Sequence, residues 1–437
     1  MILGIDLGST VFKADLFDFA LCSVGQGAAS VVYAPACGSV VEMPVEENEK
    51  ALRDAITGAL KSANVRSSDV SAVAFASQAQ TFTVRAPDGR ARRPFISWRD
   101  TRCAQHNFAS ATLPDFASHC SVAECLPALT VSKLAFLRET SPGPVVAPAD
   151  LVLWLPTWFV MELTGKAVVD TNLAAMSGLY SLALGNWWPE ALDCCGLCPQ
   201  NLPVLAGFGS VAGETTASAL KYGLPAGIPV VLAGNDQTAG AYGAAIHETG
   251  SILVSLGTAQ VVYACLPSMP EAVPGLMRGP YPGARFYQLG ADDFGAGTVN
   301  WARSVLPGCE SEKEFDRLAA SAPPDCHGMR FVADGPAGTG HWTGLDRPDA
   351  TVADQARAIL VTLAERLGQL LGLLSVDPRR HPVLLSGGGS ESEPWRDCVC
   401  RQLTLDFTRI RAASPPLGAA RMARDLPSLH LVPSTAR

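Results

Sequence analysis

Two short apolar runs open the chain. Ile2 to Ile5 and Ala14 to Phe17 flank a turn rich in Gly and hydroxyl residues, and this pattern predicts a β-hairpin. A helical stretch follows near Glu49 to Ser62, then strands at Val70 to Ala76 and at Phe95 to Trp98, the latter running into RDTR. The segment Asp150 to Leu163, DLVLWLPTWFVMEL, is apolar on more than one side and predicts a helix packed deep inside its domain. PVVLAGND, Pro229 to Asp236, reads as a buried strand ending in an acid, and SILVSLGTA, Ser251 to Ala259, as a strand ending in a Gly-Thr turn. Ile359, Leu360, Leu363, Leu367, Leu370, Leu371 and Leu374 recur at helical spacing and predict a helix over Ala353 to Leu374. The next strand, Pro382 to Ser386, runs directly into Gly387, Gly388 and Gly389. Strands alternating with helices imply an α/β architecture.

The order strand, Gly with a hydroxyl residue, strand occurs at DLGST and again at SLGTA. This echo suggests two duplicated halves joined near residues 245 to 250 in AAIHETG, giving domains 1–247 and 248–437, each with a mixed sheet of about five strands. A chain of 437 residues exceeds the usual size of a single core, which agrees with two domains.

Composition then narrows the function classes. With 48% hydrophobic and 17% charged residues the chain is globular and able to bury a large core. A net charge of -8 offers no footprint for a polyphosphate backbone, so nucleic acid is not expected as a partner. No apolar run reaches the roughly 18 residues of a membrane span, and Asp6 interrupts what a signal peptide would keep apolar. A cytoplasmic protein without a membrane partner is expected. Thirteen scattered cysteines read as thiols in a reducing compartment; Cys194, Cys195 and Cys198, with Cys398 and Cys400 far away, lack the paired spacing of a zinc site.

No GxxxxGK[ST] sequence is present, so a nucleotide site cannot rest on a P-loop. The turn Asp6 to Thr10 presents consecutive backbone N–H groups and two hydroxyls, with Lys13 just beyond, a geometry that suits phosphate oxygens and equally an ordinary hairpin turn. An acid at the mouth of a phosphate loop calls for a cation such as Mg²⁺ between them. Gly257 and Thr258 form a second turn of this kind, and the glycine run in SGGGS, Ser386 to Ser390, admits a flat ring or ribose close to the backbone, or is simply a flexible loop. Asp236 at a strand end, flanked by small residues, suits either proton abstraction from an attacking hydroxyl or a helix N-cap.

Taken together, GIDLGSTVFK, PFISWRDTR, the run from WLPTWFVMEL to AAMSGLY, AGNDQTAGAYGAA, SLGTA, GAGTVNWA and SGGGSESEPWRD resemble the FGGY family of carbohydrate kinases over nearly the whole chain. The resemblance implies two actin-like (ribonuclease H-like) domains with the active site in a cleft between them, the first binding sugar and ending in the catalytic acid, the second binding nucleotide. It implies transfer of the γ-phosphate of ATP, with Mg²⁺, to a hydroxyl of a sugar or polyol. Asp236 would be the base, and Asp6 with Asp236 would hold hydrated Mg²⁺. Gly8, Ser9, Thr10, Lys13, Gly257 and Thr258 would embrace the phosphates, while Gly297, Gly388, Gly389 and Ser392 flank the nucleoside. Gln78, Gln80, Trp98, Asp100 and Gln237 are the expected sugar contacts, Asp100 having a local salt bridge with Arg102 as its alternative. SQAQT, Ser77 to Thr81, departs from both the GQMHG of many ketopentose kinases and the NQRET of glycerol kinases, leaving Ala79 and Gln80 where the latter grip glycerol with Arg and Glu. Phe136 and Val361 also depart from the family signatures. The leading expectation is a ketopentose such as xylulose or ribulose. A glycerol- or erythritol-type polyol kinase and a catalytically silent sugar or nucleotide sensor are the alternatives, with a homodimer as one option for assembly.

Overall fold

The opening hairpin forms from Ile2–Leu7 and Val11–Phe17, paired antiparallel with Asp6 directly opposite Lys13. Strand Ile2–Leu7 is buried along its whole length because its other edge pairs in parallel with Ala72–Ser77, which pairs in turn with Pro229–Asn235. The full sheet of this computed structural model is six-stranded, in the order Val211–Glu214, Pro229–Asn235, Ala72–Ser77, Ile2–Leu7, Val11–Phe17, Ser23–Ser30. The structure describes residues 1–335, 338–410 and 413–427.

A second six-stranded sheet repeats the plan. Ile252–Leu256 pairs antiparallel with Gln260–Leu266 across the SLGTA turn and parallel with Val383–Ser386, as Ile2–Leu7 does with its neighbours. Its order is Leu276–Tyr281, Arg285–Asp292, Gln260–Leu266, Ile252–Leu256, Val383–Ser386, Phe407–Arg409. The echo between DLGST and SLGTA is thus a hairpin with a parallel partner strand, used twice. Each sheet has one strand more than the roughly five expected. The extra strands are short or edge segments, Val211–Glu214 and Phe407–Arg409, whose apolar signal is weak.

The helix Val352–Gly372 turns Ile359, Leu360, Leu363 and Leu367 into the core of the second unit, as its spacing predicts. The expected helix over Asp150 to Leu163 forms only in part. Leu151–Trp154 is a strand paired with Phe82–Arg85, and the helix runs Leu155–Thr164 with Pro156 in its first turn. Proline suits the first helical turn and excludes the interior, so it marks the switch between two apolar elements that periodicity alone merges.

Contacts divide the chain into two compact units. One comprises Met1–Gly243, Arg278–Phe286 and the described part of Ser414–Arg437; the other comprises Ala244–Met277 and Tyr287–Ala413. This differs from a division at residue 247 into two continuous domains. The last helix, Pro415–Asp425, lies on Asp236–Gly243 and on strands Ile2–Leu7 and Ala72–Ser77 of the first unit. The expected second domain also contains residues 428–437, which lie outside the described residues.

That docking depends on glycine. A Cβ at Gly418 would overlap the carbonyl of Ala239, on the helix that begins with Asp236. Gly418→Val should therefore lower the thermal midpoint, with a cost of about 1–3 kcal/mol or more for overpacking. Gly372→Ala, where a Cβ meets nothing within 4 Å, should leave the midpoint unchanged or slightly raised. Equal midpoints for the two variants in a thermal melt would show that the helix contact is not tight.

Candidate active site

In an open sheet with parallel strands, the carboxyl ends of those strands are where chemistry gathers. Ile2–Leu7, Ala72–Ser77 and Pro229–Asn235 run parallel, so Asp6, Ser77 and Asn235 reach the same edge. Asp236 follows as the first residue of helix Asp236–Gly243. Asp6 and Asp236 thus leave strands separated by one other, about 10 Å at the usual inter-strand spacing.

Asp6 is buried, and its Oδ1 has no hydrogen-bond partner. Burial, reinforced by the charge of Asp236, pushes its carboxyl well above the usual carboxylate range; Lys13, exposed on the opposite strand, only partly offsets this. Asp236 is half-buried, and desolvation raises it too, restrained by the Gln237 N–H (2.8 Å to Oδ1) and the Asn235 amide. Two carboxyls of raised pKa that sense each other, one with an orphaned oxygen, suit a divalent cation. The donor set fits Mg²⁺. Among the described residues no group of three or more His, Cys, Asp or Glu is placed to hold a metal, so the protein would supply two carboxylates and leave the remaining ligands to water and phosphate.

Gly8, Ser9 and Thr10 make the turn beside these acids. The Ser9 carbonyl accepts from the Tyr33 hydroxyl (2.7 Å) and the Thr10 carbonyl from the Val31 N–H (2.9 Å). With carbonyls tied back, Thr10 remains exposed and Gly8 and Ser9 partly so.

The expected sugar contacts fall into two groups. Trp98 is 40% exposed and Gln237 is half-buried, so both are open to a ligand. Asp100 is fully buried and accepts from the Val41 N–H (2.7 Å) and from Arg102, which also reaches Glu42. The salt-bridge alternative describes its geometry, and its oxygens face inward. Gln78 and Gln80 are also buried: Gln78 Nε2 donates to the Gly8 carbonyl (3.0 Å) and Gln80 Nε2 to the Met176 carbonyl (3.2 Å). Their amides hold backbone in place instead of pointing freely outward.

This pattern exposes residues that sequence reading passed over. The fully buried Thr81 Oγ1 donates to Gln78 Oε1 (3.0 Å) and accepts the Trp98 N–H (3.0 Å), linking the turn at Gly8 to the start of the Trp98 loop. Lys133 is fully buried, donating to the Ser97 (2.7 Å) and Ala128 (2.8 Å) carbonyls, and burial lowers its pKa to about 7. The available signal was a lysine in a helix whose neighbours are buried, Thr130–Thr140.

The second unit holds a cavity of about 590 Å³, a size that suits a nucleoside. Gly257 and Thr258, expected at the phosphates, and Gly388, Gly389 and Ser392, expected at the nucleoside, all line it. Gly389 needs its missing side chain, since a Cβ there would overlap the Trp395 ring. Gly297 donates to the Thr258 carbonyl (3.1 Å) and props that turn, while its neighbours Ala296 and Val299 face the cavity. Asp316 was not anticipated: it lines the cavity and accepts from Ser392 Oγ (2.8 Å).

Residues 1–243 match the sequence profile of the N-terminal domain of the FGGY family of carbohydrate kinases. The chain is 26% identical to a xylulose kinase of Escherichia coli (strain K12) over 446 residues, 97% of this chain and 90% of that protein. It is 27% identical to a glycerol kinase of Myxococcus xanthus over 416 residues, 89% of this chain and 82% of the other. Among solved structures, a ligand-bound xylulose kinase from Lactobacillus acidophilus superposes with a TM-score of 0.86 at 20% identity, covering 97% of this chain and 88% of that one. A xylulose kinase from Rhodospirillum rubrum gives 0.86 at 22%, covering 96% and 88%. The fold is the two-domain actin-like one. No helix among the described residues is long and apolar enough to cross a membrane.

The raised pKa of Asp6 has a thermodynamic consequence. The folded state holds that proton to higher pH than the unfolded chain, so the stability it contributes is fully present below the ordinary Asp pKa and is lost as pH rises through the folded value. Without metal, Asp6→Asn should match the parent's unfolding free energy near pH 4 and exceed it near pH 8 by on the order of a few kcal/mol, with a correspondingly higher melting temperature there. A gap that is equal at both pH values would mean the carboxyl is not raised.

Proposed function

The chain belongs to the FGGY family of carbohydrate kinases and is an ATP-dependent sugar kinase, and we propose that its acceptor is a ketopentose with Asp236 as the catalytic base. The observation that carries the catalytic reading is the pair of carboxyls at the ends of two parallel strands that flank Ala72–Ser77, one with an unpartnered oxygen.

In this mechanism the acceptor hydroxyl oxygen attacks the γ-phosphorus, the bond from that phosphorus to the ADP oxygen breaks, and the hydroxyl proton passes to Asp236. A base whose pKa is lifted toward neutrality takes that proton more readily than an ordinary carboxylate does. Asp6 and Asp236 would hold Mg²⁺ through water, which when bound neutralises phosphate charge. Backbone N–H groups and hydroxyls of Gly8, Ser9 and Thr10, with Lys13, meet phosphate oxygens in the first unit; Gly257 and Thr258 do so in the second. Gly388, Gly389 and Ser392 border the nucleoside. Trp98 presents a ring face to the CH surface of the sugar and Gln237 an amide to its hydroxyls. Gln78, Gln80 and Asp100 act one step back, setting the loops on which these contacts stand.

The xylulose kinases among the relatives support a ketopentose. A polyol kinase is the second reading, supported by the glycerol kinases among them and opposed by Ala79 and Gln80. Thirteen free cysteines suit a reducing, cytoplasmic setting.

Measurement of ADP release across ketopentoses, ketohexoses, glycerol and erythritol should give the largest kcat/KM with a ketopentose. Preference for glycerol would move the assignment to the polyol reading. Asp236→Asn should fold normally and lose at least about a hundredfold in kcat; near-normal turnover at saturating ATP, Mg²⁺ and sugar would remove Asp236 from the role of base.

A further inference from the structure

We propose that Asn172 is a positioning residue for Asp236, acting through the backbone of Asn235; the inference rests on the reading of Asp236 as base. The register between Pro229–Asn235 and Ala72–Ser77 shifts between Leu232 and Asn235, so the strand leaves its regular ladder just before the catalytic acid. Gly234 takes a positive φ of 67° within this irregularity. A bulge of this kind re-aims the side chain that follows, but it also leaves backbone groups in need of new partners.

Asn172 supplies one. Its Oδ1 accepts the Asn235 N–H at 2.9 Å, and its Nδ2 donates to the Pro280 carbonyl at 3.0 Å, with the Thr238 hydroxyl at 3.5 Å. The side chain is fully buried, so no water competes for these bonds. Asn172 sits in the short helix Thr171–Ala175, whose N-cap Asp170 accepts the Leu173 N–H (2.9 Å) and fixes that helix in turn. Thr238 lies two residues past Asp236 and Asn235 one before it, so the amide grips both sides of the catalytic acid. From there the Asn235 side chain carries the constraint onward: its Oδ1 accepts the Gln237 N–H (3.0 Å), and its Nδ2 reaches toward the Ser77 carbonyl (3.5 Å). Gly234 is required here as well, because a Cβ would come within 2.8 Å of Asn172 Oδ1.

Removing the amide leaves the Asn235 N–H buried without an acceptor and frees the irregular strand end to relax. The turn Gly8–Thr10 and the Trp98 loop are tied to other strands, so ligand binding should be spared while base alignment suffers.

The test uses the full-length enzyme with ATP, Mg²⁺ and its best sugar. Asn172→Ala should lower kcat by about ten- to a hundredfold, the range expected when a reacting group is displaced by up to 1 Å. KM for sugar and for ATP should each stay within about threefold, since the loss is confined to the transition state. Asn172→Asp keeps the size and the oxygen facing Asn235 but loses the amide N–H that reaches the Pro280 carbonyl. It should recover much of the kcat lost in Asn172→Ala, because the oxygen that accepts the Asn235 N–H is kept. A purely structural role would lower the melting temperature and the folded fraction but leave kcat per folded enzyme unchanged. Wild-type kcat per folded enzyme in Asn172→Ala, or no recovery of kcat in a folded Asn172→Asp, overturns the proposal. If Asn172→Ala does not fold, Asn172→Leu takes its place as the variant without the amide. Asp236→Asn separates the two claims: if it stays active the base assignment falls, and if it is inactive while both Asn172 variants behave as wild type only the positioning claim falls.

Discussion

A carboxyl oxygen buried without a hydrogen-bond partner is costly, and this chain keeps one at Asp6, within reach of the charge of a second acid at Asp236. The rest of the first unit can be understood as what makes that arrangement possible. Three parallel strands bring the two acids to one edge; a hairpin places Lys13 across from Asp6 as partial compensation; and the Gly8, Ser9 and Thr10 carbonyls of its turn accept from Gln78, Tyr33 and Val31. Such an arrangement is poor for stability, and on the proposed reading it is kept for a cation and a polyphosphate, the trade seen where function sets local structure.

The supporting elements share a second property, the use of buried amides and hydroxyls to hold backbone. Gln78 holds Gly8, Thr81 holds Gln78 and Trp98, Lys133 holds Ser97, and Asn172 holds Asn235. Each contributes about 1 kcal/mol net when satisfied and costs more when broken, so the network favours a single loop arrangement over alternatives. In the second unit the same role falls to close packing: Trp395 fills the space a Gly389 side chain would occupy, and Gly297 props the Thr258 turn.

These networks bear on how specificity arises in a kinase of this fold. On the proposed reading the reacting carboxyl and the phosphate turns are few and local, while the acceptor would be read by loops whose shape depends on partners far away in sequence, such as Gln80 with Met176 or Lys133 with Ser97. A change in any of these supports can alter substrate choice without touching the substrate.

The sequence by itself determined the α/β class, the repeated hairpin, the acids at Asp6 and Asp236 and the glycine turns, because each is written in adjacent residues: an alternating apolar run, a turn composition, a strand that ends in an acid. It did not separate Leu151–Trp154 from the helix after it, since both are apolar and their period is short. Nor did it assign Pro415–Asp425 to the first unit, where a helix joins strands hundreds of residues away through a contact at Gly418. Only the tertiary structure decided that Gln78, Gln80 and Asp100 turn inward, that Thr81, Lys133 and Asn172 hold backbone, and that Asp316 lines the cavity of the second unit. A polar side chain's role depends on which way it points and what it meets. That is settled by long-range packing, which local composition does not encode.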